Sequence, residues 1–154
     1  MHDIKKNIEN IKADNPNYKI LLNLRHPVER TWSQMKMFSR ANGTDLSCEK
    51  VLSVMLGSEG IISRGFIKNH YLEWKNIFNE KMLTIFIGDI EQRPRYVLSK
   101  CCKHLEIDYK DECFYKPHQK VFDGSSEKIP KYIEDHLLYI YSEEILFYEE
   151  LFSI

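Results

Sequence analysis

The chain has 154 residues, of which 43% are hydrophobic and 29% are charged, and its formal net charge is −1. This length predicts a single domain over residues 1–154, with enough apolar side chains for a core. Because the charge is nearly balanced and contains no block of like sign, a general nucleic-acid-binding surface is not expected. The sequence also has no apolar run as long as a membrane span requires, so none is expected.

The cysteines follow neither the spacing of a disulfide framework nor that of a zinc site. They are Cys48, Cys101, Cys102 and Cys113. Free thiols in a reducing compartment are therefore expected. The first residues lack the apolar core of a signal peptide. Together these features predict a cytoplasmic protein that binds no metal.

Apolar periodicity predicts helices that alternate with two buried strands. In chain order, the predicted elements are a helix over 3–13, a strand over 18–24, helices over 27–40, 48–56 and 66–78, a strand over 82–87, a helix over 94–105 and a final helix over 130–152. Ser47 is expected to cap the third of these helices, and Gly88-Asp89 to end the second strand. The connection over 106–128 has no clear period, as in many functional loops. This order of elements predicts an α/β fold with a parallel sheet flanked by helices.

The same spacing predicts which side chains are buried. In the helix over 27–40 they are Val28, Trp32, Met35 and either Phe38 or Ser39. In the helix over 94–105 they are Tyr96, Val97, Cys101 and Leu105. In the last helix they are Leu137, Ile140 or Tyr141, Phe147 or Tyr148, and Leu151.

The segment from Lys19 to Arg40 carries the strongest functional signal. A buried strand is followed by Arg25, and Pro27 then suits the first turn of a helix. An arginine fork can grip a phosphate through two parallel hydrogen bonds, and the hydroxyl of Ser33 could add another. These residues predict an anion site beside a helix N-terminus. The alternative is that Arg25 is solvated or ion-paired.

Residues 24–33, Leu-Arg-His-Pro-Val-Glu-Arg-Thr-Trp-Ser, resemble the 3′-phosphate-binding segment of sulfotransferases that use 3′-phosphoadenosine 5′-phosphosulfate (PAPS). In that family the segment reads Leu-Arg-Asn-Pro-x-x-Arg-x-x-Ser, and His26 replaces the asparagine. The matching residues are Arg25, Pro27, Arg30 and Ser33. The resemblance implies that Arg25 and Ser33 hold the nucleotide's 3′-phosphate, which distinguishes PAPS from ATP.

The resemblance continues through later segments, with several departures. Gly65, His70 and Trp74 follow a family pattern in which a tyrosine stands where this chain has Ile67, and Glu106 replaces a family glycine. The segment that ends at Ile129-Pro130 resembles a loop that closes over the nucleotide. The resemblance implies nucleotide contacts from this loop, for which the expected residues are Ser125, Ser126, Lys128 and Lys120.

A Gly-x-x-Lys-x-Gly-Thr-like loop, which follows a strand and cradles the 5′-phosphosulfate in this family, does not occur among the 154 residues. The resemblance therefore covers the C-terminal two-thirds of a P-loop-NTPase-like sulfotransferase fold that is incomplete at its N-terminus. In the family, the strand before this loop, which is missing here, lies between the strands over 18–24 and 82–87. Open sheet edges would then favour instability, self-association or completion by another segment. The catalytic base stays unknown.

The resemblance implies PAPS-dependent transfer of sulfate to a hydroxyl or amine of a carbohydrate or small-molecule acceptor. A second interpretation is a catalytically inactive remnant that binds 3′-phosphoadenosine 5′-phosphate (PAP) or is only structural. A third is an unrelated P-loop-like α/β domain in which Arg25 is structural. PAP binding with preference over AMP would separate the first two interpretations from the third.

Overall fold

A computed structural model describes residues 9–10, 12–13, 17–119 and 127–153. The predicted helix over 3–13 lies mostly outside these residues. The described part is mixed α/β, with mostly helices and a small parallel sheet of two strands. Its helices and strands are β1 (Ile20–Leu24), α1 (Pro27–Asn42), α2 (Glu49–Leu56), α3 (Glu59–Ile62), α4 (Lys68–Phe78), β2 (Met82–Phe86), α5 (Ile87–Gln92), α6 (Pro94–Leu105), α7 (Lys131–Ile140) and α8 (Ser142–Phe152).

The chain divides into two compact units. The sheet unit comprises Met1–Leu24 and Lys75–His118, and the helical unit comprises Arg25–Trp74 and Gln119–Ile154. Within the described ranges of both units, no helix is long and apolar enough to cross a membrane.

In the sheet unit, β1 and β2 pair directly and in parallel, from Ile20 opposite Met82 to Leu24 opposite Phe86. Because the two strands are direct neighbours, the structure leaves no gap between them for the strand that the family has there. Both strands are apolar and neither contains proline, so each can supply a full row of backbone hydrogen bonds to the other.

The segment after β2 is helical, whereas the sequence predicted only the end of the strand at Gly88-Asp89. Asp89 lies in the first turn of α5, where a carboxylate is favoured. The Asp89 carboxylate is nearly buried and pairs with Arg93, with 2.8 Å between Oδ1 and Nη2. This pair links α5 to the start of α6.

Helix α6 begins at Pro94 as predicted, but part of its predicted buried face is wrong. Val97 and Cys102 are buried, whereas Tyr96 and Leu105 are 44% and 38% exposed. The Tyr96 ring instead lies beneath two cations, with Arg93 Cζ 4.7 Å and Lys100 Nζ 4.8 Å from its centre. Such cation–π contacts suit a ring at the surface.

Helix α6 ends at Glu106, which has a left-handed backbone with φ of 59°. Glycine is favoured in this conformation because it has no Cβ, and the sulfotransferase pattern has glycine at this position. Glu106 also pairs with Lys19, with 2.6 Å between Oε1 and Nζ. Glu106 therefore gains an ion pair in a backbone conformation that is less favourable for glutamate than for glycine.

In the helical unit, the core is built from α1, α2, α3 and α7. Its buried members are Val28, Trp32, Met35, Leu46, Leu52, Met55, Ile61, Ile133, Leu137 and Tyr141. The predicted face of α1 is confirmed, and Ser39 rather than Phe38 is the buried residue at its end. Ser47 does not cap α2, because its N–H and hydroxyl both bind the Asp45 carboxylate and Cys48 takes the cap position.

The predicted final helix is two helices that meet at Tyr141. The residue has φ of −104° and ψ of 16°, outside the helical range. Backbone hydrogen bonds continue on both sides, from Tyr141 N–H to Leu137 O and from Ile145 N–H to Tyr141 O. The junction is therefore a kink around a fully buried tyrosine.

Glu144, in the first turn of α8, binds the start of α4. Its Oε2 accepts the N–H groups of Ile67 at 2.8 Å and Lys68 at 2.7 Å, and the residue is 9% exposed. Replacing Glu144 with alanine removes the acceptor of two backbone donors. We therefore expect stability to fall by about 2 kcal/mol. Urea unfolding of E144A measures this loss, and E143A, at the exposed neighbouring position, should unfold like the unaltered chain. An equal change in both variants would contradict the assigned cap.

Candidate functional site

The predicted anion site lies at the beginning of α1. Pro27 occupies the first turn, and the preceding His26 takes the cap position without providing a side-chain hydrogen bond. The first N–H groups of a helix have no partner inside the helix, so those of Val28 and Glu29 are directed out of its end. The His26 side chain therefore does not cap the N-terminus of this 16-residue helix, which carries the positive end of the helix dipole.

Arg25, Glu29 and Ser33 follow one another along α1 and the residues before it. The Arg25 Nε lies 3.3 Å from Glu29 Oε2. Ser33 is one turn beyond Glu29, and residues four apart share a helix face. Ser33 is half-buried, whereas Glu29 is exposed. The Glu29 carboxylate therefore contacts the Arg25 guanidinium on one side, and the Ser33 hydroxyl follows it one helical turn further along α1.

The contact with Glu29 bears on both interpretations of Arg25. It is the ion pair expected by the alternative interpretation, in which Arg25 is solvated or ion-paired. It is also a partly exposed contact through Nε, with 35% of the Arg25 side chain accessible. Exposed pairs of this kind are weak. A phosphate can therefore compete for this guanidinium at modest cost.

Lys128 belongs to a segment that is fixed against α1. The Trp32 indole N–H donates to the backbone oxygen of Glu127 at 3.2 Å, and Ile129 packs against the core. Lys128, between these two residues, is exposed. Of the other residues predicted in this loop, Ser125, Ser126 and Lys120 lie outside the described residues.

A cavity of about 350 Å³ lies beside the first turns of α1. His26, Glu29 and Trp32 line one side. The remaining lining residues come from the segment before α7 and from α7 itself, namely Ile129, Glu134 and Leu138, together with Val28 of α1. Two carboxylates, an imidazole and apolar walls suit a ligand that donates hydrogen bonds rather than a phosphate.

Tyr141 holds α1 in place through hydrogen bonds of its side-chain hydroxyl. Its hydroxyl donates to the Ile62 backbone oxygen at 2.6 Å, so the Thr31 hydroxyl, 3.0 Å away, is the donor to it. Burial raises the pKa of Tyr141 above its ordinary value, which keeps this hydroxyl protonated. Thr31 is fully buried on α1. The network thus joins α1, the end of α3 and the α7–α8 kink.

Other residues that the sequence singled out are less suited to a site. His70 is exposed, and the nearby Arg64, which is not one of the predicted site residues, donates its Nε–H to the Gly60 oxygen at 3.3 Å. Burial raises the pKa of Cys101, so this thiol is a weak nucleophile. In the described ranges, no group of His, Cys, Asp and Glu is arranged to hold a metal ion.

Sequence reasoning missed Tyr141 as the anchor of α1, because its partners lie far away in the chain. It also did not identify Glu29 as the ion-pair partner of Arg25. The i, i+4 spacing of Arg25 and Glu29 was the available signal for that pair.

Comparison with models of known protein families, with curated proteins and with solved structures finds no match for this chain.

Proposed function

We propose that the chain binds a nucleotide that carries a 3′-phosphate, as a PAPS-dependent sulfotransferase does. The observation that carries this proposal is that the partly exposed guanidinium of Arg25 lies beside Glu29 at the start of α1, with the half-buried Ser33 one helical turn beyond Glu29. The guanidinium offers a planar fork for two phosphate oxygens, the hydroxyl offers another donor, and the helix end adds positive potential. A P-loop-like sulfotransferase fold is part of the proposal, although β1 and β2 pair directly where that family has a further strand.

The acceptor in this proposal is a hydroxyl or amine compound such as a carbohydrate. The cavity beside α1 supports this choice, because Glu29 and Glu134 can accept hydrogen bonds from hydroxyl or ammonium groups. Trp32 and Leu138 supply apolar surface of the kind that packs on the face of a sugar ring.

Nucleotide binding and sulfate transfer are separable in this proposal. Sulfuryl transfer needs charge stabilisation at the bridging oxygen and a base on the acceptor. The sequence contains no Gly-x-x-Lys-x-Gly-Thr-like loop to supply the first. We therefore propose PAP binding as the primary function of the chain. PAPS-dependent sulfate transfer is the activity that this binding serves in the proposal. The alternative function is a PAP-binding remnant without catalysis.

Calorimetric titration with PAP and AMP tests the proposal. PAP should bind at least about tenfold more tightly, because the 3′-phosphate is the group that the site recognises. Equal affinity for the two nucleotides would overturn the proposal. Incubation with labelled PAPS and a panel of sugars and amines then separates the sulfotransferase from the inactive remnant.

Replacing Glu29 with glutamine should tighten PAP binding about threefold to tenfold. The change removes a negative charge beside the phosphate and frees Arg25 from its ion pair. Titration of E29Q with PAP measures the gain, and E49Q, at the start of α2, is the control with the same change in net charge. Weaker PAP binding by E29Q would show that Glu29 orients Arg25 instead of competing for it.

A further inference from the structure

The sheet unit contains a cavity of about 500 Å³ that the nucleotide proposal does not use. Small-molecule sites typically enclose about 300 to 1,000 Å³. One wall is the sheet face that carries Leu21, Asn23 and Ile85. In the paired register Asn23 lies opposite Ile85, and Leu21 is two residues earlier on the same strand, so the three side chains share that face.

The facing walls are also apolar. Val97, Leu98 and Cys101 of α6 line one side, and the segment from Phe114 to Pro117 lines another. Leu21 is 41% exposed, although strands of parallel sheets are normally covered on both faces. The cavity therefore leaves apolar strand surface that a ligand could cover.

The polar groups of the cavity determine the charge of a suitable ligand. Among the described residues that line it, Lys116 is the charged one, and Asn23 offers an amide. Cys101 adds no negative charge, because burial raises the pKa of its thiol and keeps it neutral. One ammonium group at the edge of apolar walls favours a ligand with an apolar body and an acidic group.

We infer that this cavity binds a small amphipathic anion. The acidic group pairs with Lys116 and accepts a hydrogen bond from the Asn23 amide. The apolar body lies against Leu21, Ile85 and Val97. This site is independent of Arg25 and Ser33, which belong to the helical unit.

Calorimetric titration with decanoate, kept below its micellar concentration, tests the inference. The chain should bind one decanoate, and nonyltrimethylammonium, which has the same nine-carbon alkyl chain, should bind at least about tenfold more weakly. K116E should weaken decanoate binding at least about tenfold. K110E, an exposed lysine outside the cavity lining, is the matched control and should bind as the unaltered chain does.

A second variant tests the cavity itself. L21W fills space from a partly exposed position, so it should fold normally and lose decanoate binding. Circular dichroism verifies the fold of each variant. The inference is overturned if the folded chain binds no decanoate, binds the cation equally well, or keeps its decanoate affinity in either K116E or L21W.

Discussion

Replacing Gly65 with alanine is expected to destabilise the helical unit by about 3 kcal/mol, near the upper end of what overpacking usually costs. A Cβ at this position would lie 2.3 Å from Tyr141 Cζ and 2.6 Å from its hydroxyl oxygen. The Tyr141 ring cannot easily retreat, because it is fully buried and its hydroxyl binds Ile62 and Thr31. The Phe66 ring also packs edge-on against it at 5.2 Å.

Urea unfolding of G65A measures this cost against a matched glycine. Gly60 lies in α3, and a Cβ there would meet its nearest atom, Ser58 Oγ, at 4.0 Å. G60A should therefore be neutral or stabilising by up to about 1 kcal/mol, because alanine favours helix. In a chain that already carries Y141A, G65A should cost little, since the clash has been removed. Similar losses from G65A and G60A would contradict the close packing on Tyr141.

The elements that the sequence predicted well are those with a local signal. Pro27 and Pro94 mark the starts of α1 and α6, and the structure begins both helices at these residues. The apolar runs of β1 and β2 predicted both strands to within two residues at each end. The buried stripe of α1 followed from its helical period, because one face of this helix packs on the core.

The features that the sequence could not predict depend on distant partners. The predicted buried face of α6 included Tyr96 and Cys101, and only the packing of the sheet unit exposes Tyr96 and buries Cys102 instead. No proline or glycine near Tyr141 signals the kink in the sequence. The kink coincides instead with hydrogen bonds from Tyr141 to residues far away in the chain, which no local pattern can predict. The cap that Glu144 provides to α4 likewise joins segments that no local pattern connects.

The sequence predicted only part of the candidate site at the start of α1. The spacing of Arg25 and Ser33 is local, so the sequence could place both on or next to one helix. The partner of Trp32 was not predictable, because the backbone of Glu127 reaches it from the other end of the chain. The direct pairing of β1 with β2 was not predictable for a related reason, since hydrogen-bonded neighbours in a parallel sheet are not encoded by either strand alone.

Replacing Arg25 with alanine is expected to weaken PAP binding about 10- to 100-fold while AMP affinity changes less than about twofold. The first figure corresponds to the loss of charged hydrogen bonds to one phosphate. The second follows because AMP lacks the 3′-phosphate that Arg25 is proposed to hold. The preference for PAP should therefore disappear. Parallel titrations of R25A with both nucleotides measure this selectivity directly.

Three further variants distinguish recognition by Arg25 from a general effect of charge or stability. R40A removes an exposed arginine from the last turn of the same helix and should leave the preference unchanged. R25K keeps the charge but loses the planar fork, so its PAP affinity should fall between those of R25A and the unaltered chain. S33A should cost about threefold to tenfold, as expected for one hydroxyl donor. If R25A and R40A weaken PAP binding equally, the affinity for PAP depends only on net charge, which would contradict a specific role of Arg25. If R25A weakens PAP and AMP equally, Arg25 supports the fold or the 5′ side. Only selective loss at Arg25, with a smaller loss at Ser33, agrees with a 3′-phosphate held on this face of α1.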